Sequence, residues 1–218
     1  MALTSIKEPF AHGPFQYIVE VSFQLDAFYR YIDITEKTID KEIELLKSMC
    51  EEEIECGCGW ENYEITINTR NLFYNSLFTS LYSFLERKMY QLCRLAEKNQ
   101  NIKINDLSGN GIFKYHKYLE KIIHIDFQKI NTEWGEIIKY NKLRNLIVHK
   151  PTTEIINNKE NSKLIKDLKS IAYLFFIDKG DIIEFQIKDK QLFFNFCKTI
   201  DRLLNEIYCE NSQTRCNN

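Results

Sequence analysis

A chain of 218 residues with 44% hydrophobic content is long enough to build one substantial core without disulfide or metal staples. Its formal net charge of −2 excludes a globally basic surface that would hold nucleic acid by counterion release, so any RNA contact has to be local. Seven scattered cysteines do not make a secreted disulfide framework, residues 1–10 lack a charged start followed by an apolar run, and no stretch reaches the ~18–20 apolar residues of a membrane span, so a cytoplasmic protein without membrane contact is expected.

Only seven glycines and three prolines punctuate the chain, and the stretches between them carry helical spacing. The pattern predicts a mainly α protein, a bundle of four to six helices with a small C-terminal β-hairpin, forming a single domain over 1–218. A first helix or helix pair runs from about Phe15 to Glu55, with Phe28, Ile32, Ile39, Ile43, Leu46 and Met49 as its apolar stripe and a break expected between Asp33 and Asp40. Residues 36–64 hold ten acids against three bases, which reads as a solvated face. Cys56-Gly-Cys58 is the only close cysteine pair; without two further ligands at plausible spacing it reads as a glycine-rich turn, and no metal is expected.

From about Thr69 to Lys98 a strong helix is predicted, with Leu72, Phe73, Ser76, Leu77, Ser80, Leu81, Phe84, Leu85, Lys88, Met89 and Leu92 on one broad face. Asp106 and Ser108-Gly-Asn-Gly111 mark a loop. A shorter helix follows over Ile112–Ile123, turning Phe113, Tyr115, Leu119 and Ile122 inward, and then a helix from about Thr132 to His149. Lys150 precedes Pro151 and is pushed towards extended geometry, so His149 is expected in the last helical turn. The bundle thus covers about 15–150. The extension over about 151–209 holds a short helix at Leu164–Ser170, a hairpin from Tyr173 to Ile187 around Asp178-Lys-Gly-Asp181, and a last helix from Asp189 to Tyr208 with a frayed tail beyond it.

The stretch Tyr140-Asn-Lys-Leu-Arg144-Asn145-Leu-Ile-Val-His149-Lys-Pro151 gathers an arginine, an amide and a histidine at one helix end. RNA is cleaved without metal when one group removes the 2′-hydroxyl proton, another stabilises charge on the phosphate, and another protonates the departing 5′-oxygen. Histidine side chains titrate near pH 6.5 and serve as base or acid, while the planar arginine fork fits phosphate oxygens. At 3.6 residues per turn, Arg144 and His149 stand about 140° apart around the axis and about 7.5 Å apart along it, whereas Asn145 and His149 share a face. Asn145 can therefore hold the imidazole or a substrate oxygen. The helix is apolar nearly all round, which a homodimer with motif helices at the interface would explain, as would deep burial within one chain.

The spacing Arg144-Asn145-x-x-x-His149 resembles the motif of the HEPN superfamily, an arginine followed after four to six residues by histidine, with a polar residue beside the arginine. The resemblance covers roughly Leu72–Glu154 in arrangement. It implies a HEPN-like helical bundle and a metal-independent endoribonuclease needing no cofactor, with Arg144, Asn145 and His149 catalytic in a composite dimeric site. Lys142, Lys150 and Glu86 are candidate RNA-contacting or orienting residues. The resemblance further implies a toxin or effector of bacterial toxin–antitoxin or anti-phage defence, restrained by an antitoxin or regulatory protein. The alternative is a non-catalytic helical module that binds a protein partner or a nucleotide, with Arg144 paired to an acid such as Glu86. His116, His124 and His12 carry no assigned role, and there is no phosphate-binding glycine loop and no Ser/His/Asp signature.

Overall fold

In a computed structural model of the chain, the described residues are 14–52, 59–149 and 153–216. Their order is α1 (Pro14–Glu52), α2 (Gly59–Ala96), two 3-10 turns (Glu97–Asn99 and Ile104–Asp106), α3 (Gly111–Lys121), α4 (Asn131–His149), β1 (Glu154–Ile156), α5 (Ser162–Lys169), β2 (Leu174–Asp178), β3 (Ile182–Ile187) and α6 (Gln191–Cys216). The protein is mainly helical with a small antiparallel sheet near its C-terminal end. Among the described residues no helix is long and apolar enough to cross a membrane. The chain forms two compact units, the first from Met1–Ala27, Phe84–Trp134 and Cys197–Asn218, the second from Phe28–Ser83 and Gly135–Phe196.

In the first unit Tyr17, Val21 and Leu25 of α1, Leu85, Met89 and Leu92 of α2, Tyr118 and Leu119 of α3, and Ile200, Leu203 and Leu204 of α6 are buried. Lys88 lies on this apolar side of α2 at only 1% exposure, and its ammonium pairs with Glu20 at 2.7 Å and sits over the Tyr17 and Phe84 rings. A buried cation is tolerable only with such partners. Burial pushes the Cys93 thiol well above its usual range; both it and Cys197 in the same unit are free and buried, so they act as small apolar side chains.

In the second unit α1 continues unbroken through Asp33–Asp40, against expectation, because each acid there has a partner. Asp33 meets Lys37 and Lys190, Asp40 meets Arg70, and the buried Glu36 accepts a hydrogen bond from the Tyr74 hydroxyl at 2.6 Å. Of the predicted α1 stripe, Ile32, Ile39, Ile43 and Leu46 are buried, Phe28 is half-buried and Met49 is exposed.

Other helices also depart from their predicted faces or bounds, α5 by starting at Ser162, two residues early. On α2 Leu72, Ser76 and Ser80 face outward while Tyr74, Phe78 and Tyr82 are buried, so the inward face is rotated towards the aromatic side. The helix also begins at Gly59, ten residues before the predicted start. On α3 the buried residues are Ile112, Tyr118 and Leu119, and Phe113 is exposed. The last helix runs to Cys216 rather than ending near Tyr208. The proposed Cys56–Cys58 turn and the departure of Lys150 from the helix lie outside the described residues.

The hairpin is present, with Gly180 at φ +84° in its turn, where a side chain would be strained. It is joined by a third strand that sequence reasoning missed. β1 pairs antiparallel with β3, giving the order β1-β3-β2 and the register Ile155 opposite Ile183. Ile155, Ile183, Phe185 and Ile187 are buried on one sheet face, while Ile156, Phe175 and Ile177 are exposed on the other.

Candidate active site

The Arg-Asn-x-x-x-His stretch lies in the second unit on the last turns of α4, which ends at His149 among the described residues. Its buried residues in this unit are Ile137, Tyr140, Leu143 and Leu146, spaced by three. Because 3.0 differs from 3.6, that stripe rotates by about 60° per step and winds about half-way round the helix over nine residues. This winding is why the sequence looks apolar on all sides: different flanks are buried at different heights by the chain itself. Tyr140 packs against Phe78 and Phe196, with ring centroids 5.9 and 4.4 Å away.

Arg144 and Asn145 are joined into a polar string. The Arg144 Nη1 donates to Asn145 Oδ1 at 3.1 Å, Asn145 Nδ2 donates to Asn141 Oδ1 at 3.3 Å, and Asn141 Nδ2 donates to the Tyr82 hydroxyl. The Arg144 guanidinium also lies over the Tyr82 ring, 5.8 Å from its centroid. The wholly buried phenol of Tyr82 therefore serves the arginine twice, through its ring and through the two amides. Arg144 Nε is buried without a hydrogen-bond partner, and Arg144 forms no ion pair among the described residues. A fixed cation without a carboxylate neighbour keeps its charge for an incoming anion.

Asn145 turns its carbonyl to Arg144 and not to the imidazole of His149. His149 is exposed and makes no hydrogen bond or ion pair among the described residues. Lys142 is engaged with Asp167 of α5, which holds that carboxyl below its usual range, and an RNA phosphate would have to compete with it. Glu86 belongs to the first unit, half-buried on α2 beside Gly111. Lys150 lies outside the described residues. Sequence reasoning missed Tyr82 and gave Asn141 no role at the site. The Asn141 signal was legible, four residues before Asn145 on the same face, whereas Tyr82 was hidden because Leu81 and Leu85 set the assumed inward face.

Among the described residues no three His, Cys, Asp or Glu side chains are grouped to hold a metal ion. Comparison of the chain with family models, with curated proteins and with solved structures finds no match.

Proposed function

We propose that the chain is a metal-independent endoribonuclease of HEPN type, cutting RNA to 2′,3′-cyclic phosphate and 5′-hydroxyl ends. The observation that carries this reading is the Arg144 guanidinium, aligned by Asn145 and the Tyr82 ring, free of any carboxylate, on the same helix end as the exposed His149. In the reaction the 2′-oxygen attacks phosphorus and the bond from phosphorus to O5′ breaks. One imidazole takes the 2′-hydroxyl proton, another protonates O5′, and Arg144 stabilises the charge gathering on the non-bridging oxygens. A single chain offers one motif histidine, so the two proton transfers call for a homodimer that brings two copies of His149 to one cleft. The biological setting that follows from the HEPN resemblance is a cytoplasmic toxin or effector of bacterial defence, held in check by a partner protein.

A second reading is favoured by the same string. Each amide of Asn141 and Asn145 has an internal partner, as expected if the motif only secures the end of α4 in a non-catalytic module that binds a protein or nucleotide. One experiment separates the two. Purified protein and its Arg144→Ala and His149→Ala variants are incubated with total RNA and tRNA in EDTA, and the fragment ends are analysed. Cleavage by the wild type alone, leaving cyclic phosphates, is the expected result; no cleavage, or equal cleavage by all three, refutes the ribonuclease.

A further inference from the structure

The first unit holds a cleft of about 660 Å³ between the end of α3, the α3–α4 loop and the first turns of α4, within the size range of small-molecule sites. One wall is aromatic: the His116 ring stacks on Trp134 with centroids 4.2 Å apart and lies 4.0 Å from Phe127. The remaining lining is polar and mixed, comprising the carboxylates of Glu120 and Asp126 and the carboxamides of Gln128 and Asn131. Asp126 accepts the Gln128 backbone N–H at 3.0 Å and so shapes the loop. The Gln128 and Asn131 side chains make no hydrogen bond among the described residues, and the only polar contact of Glu120 there is Lys121 at 3.2 Å.

The lining selects its ligand by elimination. It contains carboxylates and no Lys or Arg, which disfavours a phosphate. A simple amine or guanidinium would satisfy the carboxylates and the carboxamide oxygens but offer no acceptor to the carboxamide N–H donors of Gln128 and Asn131. A flat heteroaromatic ligand with adjacent donors on one edge and acceptors on another satisfies both sets and covers the aromatic wall. Among the nucleobases only guanine presents two neighbouring N–H donors, at N1 and N2, that match both oxygens of one carboxylate; its O6 and N7 are acceptors. Burial holds the His116 pKa below its usual value, so the ring is neutral at pH 7 and does not repel such a base.

We propose that this cleft binds a guanine base, with Glu120 accepting N1–H and N2–H, the carboxamides of Asn131 and Gln128 meeting O6 and N7, and the base packed on the His116–Trp134–Phe127 wall. The base comes either from a free nucleoside or from an RNA strand. This site stands on the first unit alone and does not depend on the proposed cleavage.

The test is calorimetric titration of the full chain with guanosine, with adenosine, and with uncleavable 2′-O-methyl oligoribonucleotides that carry one central guanine or adenine. The titrations are repeated with Glu120→Gln and, should that variant fail to fold, with Asn131→Ala. Guanine is expected to bind in preference to adenine, and Glu120→Gln to weaken it about 10- to 100-fold as two charge-assisted hydrogen bonds are lost, with Asn131→Ala weakening it less. Binding of guanosine would identify a nucleoside site, and binding of the oligonucleotide alone an RNA-reading pocket. Equal affinity for adenine and guanine, affinity unchanged in the folded variants, or no binding of either guanine ligand overturns the proposal.

Discussion

Tyr82 is the buried anchor of the motif end, and Tyr82→Phe isolates one of its two contributions. The substitution keeps the ring under Arg144 but deletes the hydroxyl that accepts the Asn141 amide. Because Tyr82 is fully buried, the loss is that of a hydrogen bond plus an amide donor left partly unsatisfied, about 1–3 kcal/mol. For a chain of this length, 1 kcal/mol moves the thermal midpoint by about 2–4 °C, so a loss near 1.5 kcal/mol predicts a drop of about 3–6 °C. The informative assay is a double-mutant cycle in urea with Asn141→Ala. Both single variants remove the same bond, so the double variant should be less destabilised than the sum by about 1 kcal/mol. Additivity within about 0.3 kcal/mol would mean that the two side chains do not interact, and the proposed orientation of Arg144 through the amides would fall with it.

Three further outcomes follow from the same contacts. Burial lowers the His116 pKa, so the unfolded chain takes the proton first: stability should decline as pH falls below about 6.5 towards the lowered value, and His116→Phe should remove that part of the decline between urea midpoints at pH 7.5 and 5.5. Asp167 is held low by Lys142, so its contribution is present above the ordinary carboxyl range and is lost as pH falls through the lowered value; Lys142→Met should raise the Asp167 titration observed by NMR, and an unmoved titration would exclude the pair. Gly111 has φ +61°, so Gly111→Ala should cost about 1–2 kcal/mol from backbone strain, while the added Cβ, which would come within 2.8 Å of Glu86 Oε1, is accommodated by a shift of that flexible carboxylate end. In a Glu86→Ala background the cost should be nearly the same, because the strain dominates; urea midpoints of the single and double variants check it.

The elements with strong local signals were legible. The apolar pattern placed the start of α4 to within a residue, and the Asp178–Asp181 turn placed the hairpin. The unbroken α1 was hidden because its acids look like a break until Tyr74, Arg70 and Lys190, far away in sequence, are seen to pair with them. The early turns of α2 carry mostly exposed polar residues with no apolar period to read. A strand of three residues such as β1 has too few side chains to alternate and is defined by its pairing with β3. At the candidate site, Arg144, Asn145 and His149 were legible as a spacing, but which partner Asn145 holds depends on rotamers and on an aromatic ring sixty residues earlier.

The three-residue spacing of Ile137, Tyr140, Leu143 and Leu146 has a mechanical consequence. A stripe that turns by about 60° for every 4.5 Å of rise is a screw thread, so α4 cannot slide along its axis without rotating by about 13° per ångström. A force that pushed or pulled this helix would therefore arrive at Arg144 and His149 as a swing around the axis. The thread converts piston motion into torsion, which re-aims both side chains together.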